Sequence, residues 1–217
     1  AWSHAQVVLR QINATEADAQ LYGQLASSVI YANASMRADA SVLIKNRRGQ
    51  SGLWGYAISG DLPIVLLQIS DPANIDLVRQ LVQAHAYWRL KGLAVDLVIW
   101  NEDHAGYRQL LQDRIMGLIA AGVEANVTDQ PGGIFVRPAD QISNEDRILL
   151  QTVARAIITD SGATLMDQIN RRGPAEVRVP RLKPTRPRRA ELPAAAGLPR
   201  RDLILFNGKI HTMDDGG

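Results

Sequence analysis

PIVLLQISDPANIDLVRQLVQAHAYWRLKGLAVDLVIW, running from Pro63 to Trp100, decides the fold of this chain. It opens on a continuous apolar run, Ile64 to Ile69, of the kind a strand buried on both faces shows. Asp71-Pro72 supplies a helix start. The Asp carboxylate accepts from first-turn N–H groups, and Pro at the first helical position has no N–H to leave unpaired. Leu77, Leu81, Ala84 and Trp88 recur on one face of a helix to about Lys91, and Gly92 stops it. Leu93 to Trp100 is a second apolar run. A strand, a helix and a strand of these lengths predict a parallel pair with a right-handed crossover.

Toward the C-terminus the pattern repeats. Gly106 to Ala121 reads as a second amphipathic helix, with Tyr107, Leu111, Ile115 and Leu118 on one face and Gly122 after it. Val123 to Thr128 is expected as a weak third strand. Pro131-Gly132-Gly133 is a turn, and Ile134 to Arg137 a short strand. Ser143-Asn144-Glu145-Asp146 has the spacing of a capping box and opens a helix expected to reach about Thr159. A further helix spans Ala163 to Arg171.

Toward the N-terminus, Asn46 to Ile69 places Gly49, Gly52, Gly55, Gly60 and Pro63 around Trp54 and Tyr56. So many bend positions beside two large rings predict a close-packed turn, not a spacer. Ala32 to Ala40 reads as a bent loop and Ser41 to Lys45 as a helical turn. Thr15-Glu16-Ala17-Asp18 is a capping box that starts a helix to about Tyr31, with Leu21, Leu25, Val29 and Ile30 on one face. Ala5 to Ile12 is β-prone. It is expected to be the last strand of an upstream unit.

The fold class is therefore α/β: a small three-layer module of mostly parallel strands and amphipathic helices. A helical linker precedes it and a Pro/Arg-rich arm follows. Five segments are expected. Residues 1–12 end an upstream β unit, and 13–60 form the helical linker and Gly-rich turn. Residues 61–172 are the α/β module, 173–201 the Pro/Arg-rich linker, and 202–217 the start of a further β element or a foreign tail.

Charge sharpens this division. Residues 1–170 carry 13 Lys+Arg against 17 Asp+Glu, whereas residues 171–201 carry 10 against 2 and hold six prolines. The high pI belongs to that short arm, so nucleic-acid binding by the folded part is disfavoured. The arm is expected to touch an acidic surface or a neighbouring domain, or to stay solvated. The chain has no Cys, which removes disulfides, thiolate metal sites and a Cys nucleophile. No apolar run reaches the roughly 18 residues of a membrane helix. The N-terminus shows no signal-peptide pattern and does not begin with Met, as expected of a fragment or processed chain.

No complete active site is visible. Gly49-Gln50-Ser51-Gly52 lacks the Gly-x-Ser-x-Gly spacing of a nucleophile elbow and has no strand before it. There is no phosphate-binding Gly-rich motif. His4, His85, His104 and His211 lack metal-ligand spacing. The sequons at Asn13, Asn33 and Asn126 carry no weight without a secretory signal. Asn101-Glu102-Asp103-His104 follows the second strand, where open α/β sheets hold ligands. There Glu102 and Asp103 are candidates for acid–base work or for holding sugar hydroxyls; the alternative is a solvated loop with a helix cap. Trp54, Tyr56, Trp88, Trp100 and Tyr107 either form a sugar-stacking platform or fill the core. Asp61 is expected to cap a turn or pair with Arg47 or Arg48. The candidate substrate-binding residues are thus Trp54, Tyr56, Asn101, Glu102 and Asp103. No catalytic residue, metal site or cofactor is assigned.

Four long runs carry a resemblance: NRRGQSGLWGYAISGDLPIVLLQI (46–69), LVRQLVQAHAYWRLKGLAVDLVIWNED (77–103), GYRQLLQDRIMGLIAAGVEANV (106–127) and PGGIFVRPADQISNEDRILLQTVARAIITDS (131–161). Together they resemble cyclic β-1,2-glucan synthases, over about Ala1 to Arg201. The resemblance implies a fragment of a very large bacterial inner-membrane protein, lying in its cytoplasmic portion. In that family one part polymerises glucose from UDP-glucose, another cyclises the chain, and a part similar to glycoside hydrolase family ninety-four phosphorylases trims it with phosphate. The resemblance places this segment between β-sandwich units, ahead of the phosphorylase-like barrel. No family catalytic residue can be carried onto a position here. The implied partners are neighbouring domains of the parent synthase and β-1,2-glucan itself. DLILFNGKIHTMD (202–214) departs from the family and is similar instead to the opening hairpin of metal-dependent amidohydrolases, without their metal-binding His set.

The favoured expectation is a connecting module with no chemistry of its own. One alternative is a free-standing oligosaccharide-binding module that uses Trp54, Tyr56 and the Asn101–His104 loop. A weaker one is a small α/β hydrolase that uses Ser51.

Overall fold

The computed structural model describes residues 2–103, 108–122, 125–161 and 163–171, with the side chains of 2–5 and 108 excepted. All of these fall within one compact unit, Ala1–Glu176. The Pro/Arg-rich arm and the 202–217 tail lie outside the described residues.

The helices are α1 (Trp2–Gln11), α2 (Glu16–Tyr31), α3 (Ala40–Leu43), α4 (Ile75–Leu90), α5 (Arg108–Ala121), α6 (Asn144–Val153) and α7 (Leu165–Ile169). The strands are β1 (Ile64–Ile69), β2 (Asp96–Asn101), β3 (Ile134–Pro138) and β4 (Ala156–Thr159). They form a four-stranded sheet in the order β3-β2-β1-β4, with every pairing parallel. The chain winds from β1 to β2 to β3 in one direction, then returns past both to lay β4 on the far side of β1. Right-handed crossovers require the two directions to use opposite faces. Accordingly α4 and α5 cover one face and α6 the other.

Alternation along the strands divides the core. Val65, Leu67 and Ile69 of β1 join Leu97, Ile99, Ile134, Val136, Ala156 and Ile158 beneath α2, α4, α5 and α7. Ile64 and Leu66 join Val98, Trp100 and Phe135 beneath α6 and a 3₁₀ segment, Gln50–Tyr56. Each fully buried Leu or Ile side chain contributes about 1.5–3 kcal/mol relative to an exposed one. Both layers are therefore needed.

The Gly-rich stretch packs as its composition predicts. A Cβ at Gly52 would lie 2.7 Å from Leu149 Cδ2 and 3.3 Å from Asp146 Oδ1, so the 3₁₀ segment presses its backbone against α6. Leu53 and Ile58, on either side of Trp54 and Tyr56, are buried in the same layer. At the other end of the sheet a Cβ at Gly133 would fall 1.8 Å from the Val127 carbonyl oxygen, which excludes any side chain where the turn enters β3.

Five expectations are corrected. Ala5–Ile12 is not a strand but most of α1 and its end: Val8, Leu9 and Ile12 are buried at helical spacing, against α4. Of Val123–Thr128, residues 123–124 lie outside the described residues, and 125–128 hold no strand: Thr128 forms one isolated bridge to Ile134. The helix from Ser143 stops at Val153, where Ala154 takes ψ 130, and the Ala156–Thr159 stretch becomes β4. Its Ile-Ile pair suits a strand, and the open edge of β1 offers parallel pairing. Ile30 is 55% exposed, while Leu21, Leu25 and Val29 are buried as expected. The last helix is shorter than Ala163–Arg171, with Thr164 and Asp167 forming a capping box at its start.

Candidate functional site

Because all four strands are parallel, the segments leaving β1, β2 and β4 meet at one edge. The winding reverses between β1 and β4, which is where open α/β sheets place ligands. Here that position is closed by the protein itself. Asp160 follows β4, and its Oδ2 accepts from the Ser70 N–H at 2.7 Å, the Asp71 N–H at 2.8 Å and the Ser70 hydroxyl at 3.1 Å. The Asn74 amide donates to the Asp160 carbonyl at 3.3 Å. Donors that would grip an anionic ligand at the start of the α4 segment are engaged by a side chain. The neighbouring Asp71 caps that segment through the Ala73 N–H at 2.8 Å, as its place before Pro72 predicts.

Beside it, the segment after β2 is built into the sheet. Asn101 and Asp103 are buried. The Asn101 Oδ1 accepts from the Asp103 N–H at 3.1 Å, and its amide donates to Gln112 Oε1 at 3.4 Å. The Glu102 N–H donates to the Ile69 carbonyl at 2.7 Å, which extends the β1–β2 ladder. The half-buried Glu102 carboxylate accepts from Gln68 Nε2 at 3.4 Å. His104 lies outside the described residues, as does Tyr107.

Trp54 and Tyr56 belong to a different neighbourhood. Trp54 is 64% exposed, and its indole N–H donates to the Ser59 carbonyl at 3.3 Å. Tyr56 donates its hydroxyl to Asp146 Oδ2 at 2.9 Å; burial, then the Asp146 carboxylate, raises its pKa above the ordinary phenol value. The same carboxylate oxygen accepts from the Ser143 hydroxyl at 2.7 Å. Arg48 completes the group, with Nε 2.8 Å from Glu145 and Nη1 3.3 Å from Asp146. Ser143 caps α6 as predicted, but Asp146 turns to Tyr56 and Arg48 instead of closing the box. Asp61 pairs with neither Arg47 nor Arg48; it accepts from Gln50 Nε2 at 2.9 Å. The sequence-predicted set therefore divides: Asn101, Glu102 and Asp103 share one cluster, and Trp54 and Tyr56 stand on the 3₁₀ segment. Of the other candidate aromatics, Trp88 and Trp100 are core residues, and Trp88 donates to the Tyr22 carbonyl at 2.8 Å.

Asp96 is a fully buried carboxylate at the first position of β2. Its Oδ1 accepts from the Gly132 N–H at 2.7 Å, which ties the turn before β3 to the sheet. Burial raises its pKa, against the opposing effects of that bond and of the nearby His85. His85 is itself buried, with Nε2 2.9 Å from the Val95 carbonyl.

The described residues hold no cluster of three or more His, Cys, Asp or Glu suited to a metal. Ser51 sits exposed in the 3₁₀ segment, with no hydrogen bond to a base among the described residues. No described helix is long and apolar enough to cross a membrane. Two clefts of about 220 Å³ flank the carboxyl edge, one beside Asp160 and Asn74, the other beside Gln68 and Arg37. A larger one of about 470 Å³ lies between the α1–α2 corner, α4 and α5. Sequence reasoning passed over Asp160, because a helix was expected to end beside it. It also passed over Gln68, whose signal was available: a lone amide in an otherwise apolar strand.

No protein-family profile matches the chain. It is 32% identical over 172 residues to the cyclic beta-(1,2)-glucan synthase NdvB of Rhizobium meliloti (strain 1021). The match covers 79% of this chain but 6% of that protein. The resemblance read from the long runs is thereby borne out: the chain is related to a short segment of a cyclic β-1,2-glucan synthase.

Proposed function

We propose that this chain is a non-catalytic connecting module of a cyclic β-1,2-glucan synthase, one that spaces and orients the domains on either side. The parent protein would make glucan from UDP-glucose, cyclise it and control its length, with this module in its cytoplasmic portion. The observation that carries the reading is the Asp160 clamp. At the edge where this class of sheet takes ligands, the backbone donors hold a side chain, and the adjoining Asn101–Asp103 segment is hydrogen-bonded into the fold. Such an edge resists deformation, as a connector needs. The test is to incubate the purified, folded chain with UDP-glucose, and separately with linear β-1,2-glucan and phosphate. The reading predicts no glucan and no sugar phosphate. Product formation that tracks with the chain through purification would overturn it.

A second reading, an oligosaccharide-binding face at Trp54, is favoured by that indole alone. It is largely exposed, and its N–H bond to Ser59 fixes the ring as a flat platform for stacking. Titration with linear β-1,2-glucan oligosaccharides, followed by Trp fluorescence, tests it. A response lost in Trp54→Ala supports the face; a flat titration removes it.

A further inference from the structure

We infer that the cleft beside Gln68, on the α6 side of the carboxyl edge, is a binding site for a neutral polyhydroxylated molecule, a sugar or cyclitol of about one ring. The starting point is Gln68, the polar exception in β1. An amide in a buried parallel strand is disfavoured unless its hydrogen bonds are made. Its Nε2 reaches Glu102 over a long 3.4 Å, and its Oε1 accepts from no described residue. The side chain instead helps to line a cleft of about 220 Å³. Gln151 of α6 lines the same cleft, with its amide outside every side-chain hydrogen bond among the described residues. Arg37 and Arg171 supply guanidinium donors. Arg37 is fixed there by Nη2 donating to the Thr152 carbonyl at 2.8 Å, near the end of α6, while its Nε remains without a partner.

The chemistry of this lining selects the ligand class. Besides Gln168, whose amide is bonded to the Thr159 and Ala163 backbone, two amides present donors and acceptors together, and two guanidiniums present donors only. Hydroxyl groups both donate and accept, so a polyol answers all of them. Inorganic phosphate keeps only one or two O–H donors at neutral pH and brings negative charge, so it answers the amide acceptors less fully than a neutral polyol does. Asp39 in the cleft wall and Glu102 behind Gln68 also oppose negative charge. Val42 and Ile157 add an apolar wall for the C–H face of a ring. The volume falls below the roughly 300–1,000 Å³ of sites for larger ligands, which limits the occupant to a single ring or the end of a chain. The inference rests on these side chains. It needs neither the connecting role nor the Trp54 face.

The experiment is calorimetric and NMR titration of the full chain with D-glucose, the β-1,2-linked glucose disaccharide, myo-inositol and inorganic phosphate. Gln151→Ala, Gln68→Leu and Trp54→Ala are titrated beside it, each checked for folding by circular dichroism. The expected result is saturable binding of at least one neutral polyol, with shifts at the Gln68 and Gln151 side-chain amides. Binding should weaken roughly tenfold or more in Gln151→Ala and in Gln68→Leu, and hold in Trp54→Ala. Gln68→Leu guards against misfolding, since Leu suits a buried strand. Three results would overturn the inference: no polyol binding by the folded chain, phosphate binding in place of polyol, or binding lost in Trp54→Ala and retained in Gln151→Ala. The last would move the ligand to the indole face, and none of the three bears on catalysis.

Discussion

Tyr56 and Asp146, 90 residues apart, are joined by a 2.9 Å hydrogen bond from the phenol to the carboxylate. That contact docks the Gly-rich 3₁₀ segment onto α6, and Arg48 closes the group from the segment's other end. Tyr56→Phe removes the bond and leaves the ring in place. The expected loss is about 1 kcal/mol of unfolding free energy, read as a lower urea midpoint with unchanged slope. An unchanged midpoint would mean the contact does not hold the segment in solution.

Gly52 makes the same docking possible by its lack of a side chain. In Gly52→Ala the new Cβ meets Leu149 Cδ2 in a filled layer. The expected destabilisation is about 1–3 kcal/mol. Because the clash is with one side chain, the double variant with Leu149→Ala should be more stable than the sum of the two single losses implies. Additive losses in a double-mutant cycle would place the strain elsewhere.

Asp160 is predicted to lock β4 to the β1–α4 corner. Asp160→Ala leaves two backbone N–H groups and a hydroxyl without their acceptor, at an expected loss of about 1–3 kcal/mol. Hydrogen exchange should quicken first at Ser70 and Asp71, then along β4. Asp160→Asn retains one acceptor oxygen and should fall between. Equal exchange in all three proteins would contradict the clamp.

Asp96 makes stability depend on pH in a stated direction. Its folded pKa is raised by burial, so the native state holds its proton more tightly than the unfolded chain. The associated stability is full below the unfolded carboxylate value of about 3.9 and is lost as pH rises through the raised folded value. His85 and Asp61 also act on this group, in opposite senses. The stability of wild type relative to Asp96→Asn should therefore decline across that window. A difference that stays constant with pH would show that Asp96 keeps an ordinary pKa.

The βαβ unit from Pro63 to Trp100 was legible because three independent signals agree there: apolar runs, helical spacing and the Asp71-Pro72 start. The Gly-rich turn was legible as close packing, though its partner was not, since Asp146 lies 90 residues away. Two misread elements, Ala5–Ile12 and Ala156–Thr159, are short. The β-prone residues of the first pointed to a strand, and the helix start at Ser143 carried the expected helix through the second. Val8, Leu9 and Ile12 are buried where α1 meets α4, and the Ile157–Ile158 pair joins β1, so tertiary contacts decide both. Among the proposed site residues, proximity in sequence placed Asn101, Glu102 and Asp103 together. Nothing local could show that Asn101 and Asp103 turn inward, or that Trp54 stays outside among a different set of partners.

The connecting role is tested most directly in a whole synthase. In NdvB, the segment that matches this chain would be exchanged for this chain, and in parallel for a flexible Gly/Ser linker of matched span. The account predicts that cyclic glucan synthesis survives the first exchange and collapses in the second, with both proteins present in equal amount. Equal synthesis from the linker version would contradict it, because a folded connector would then be dispensable.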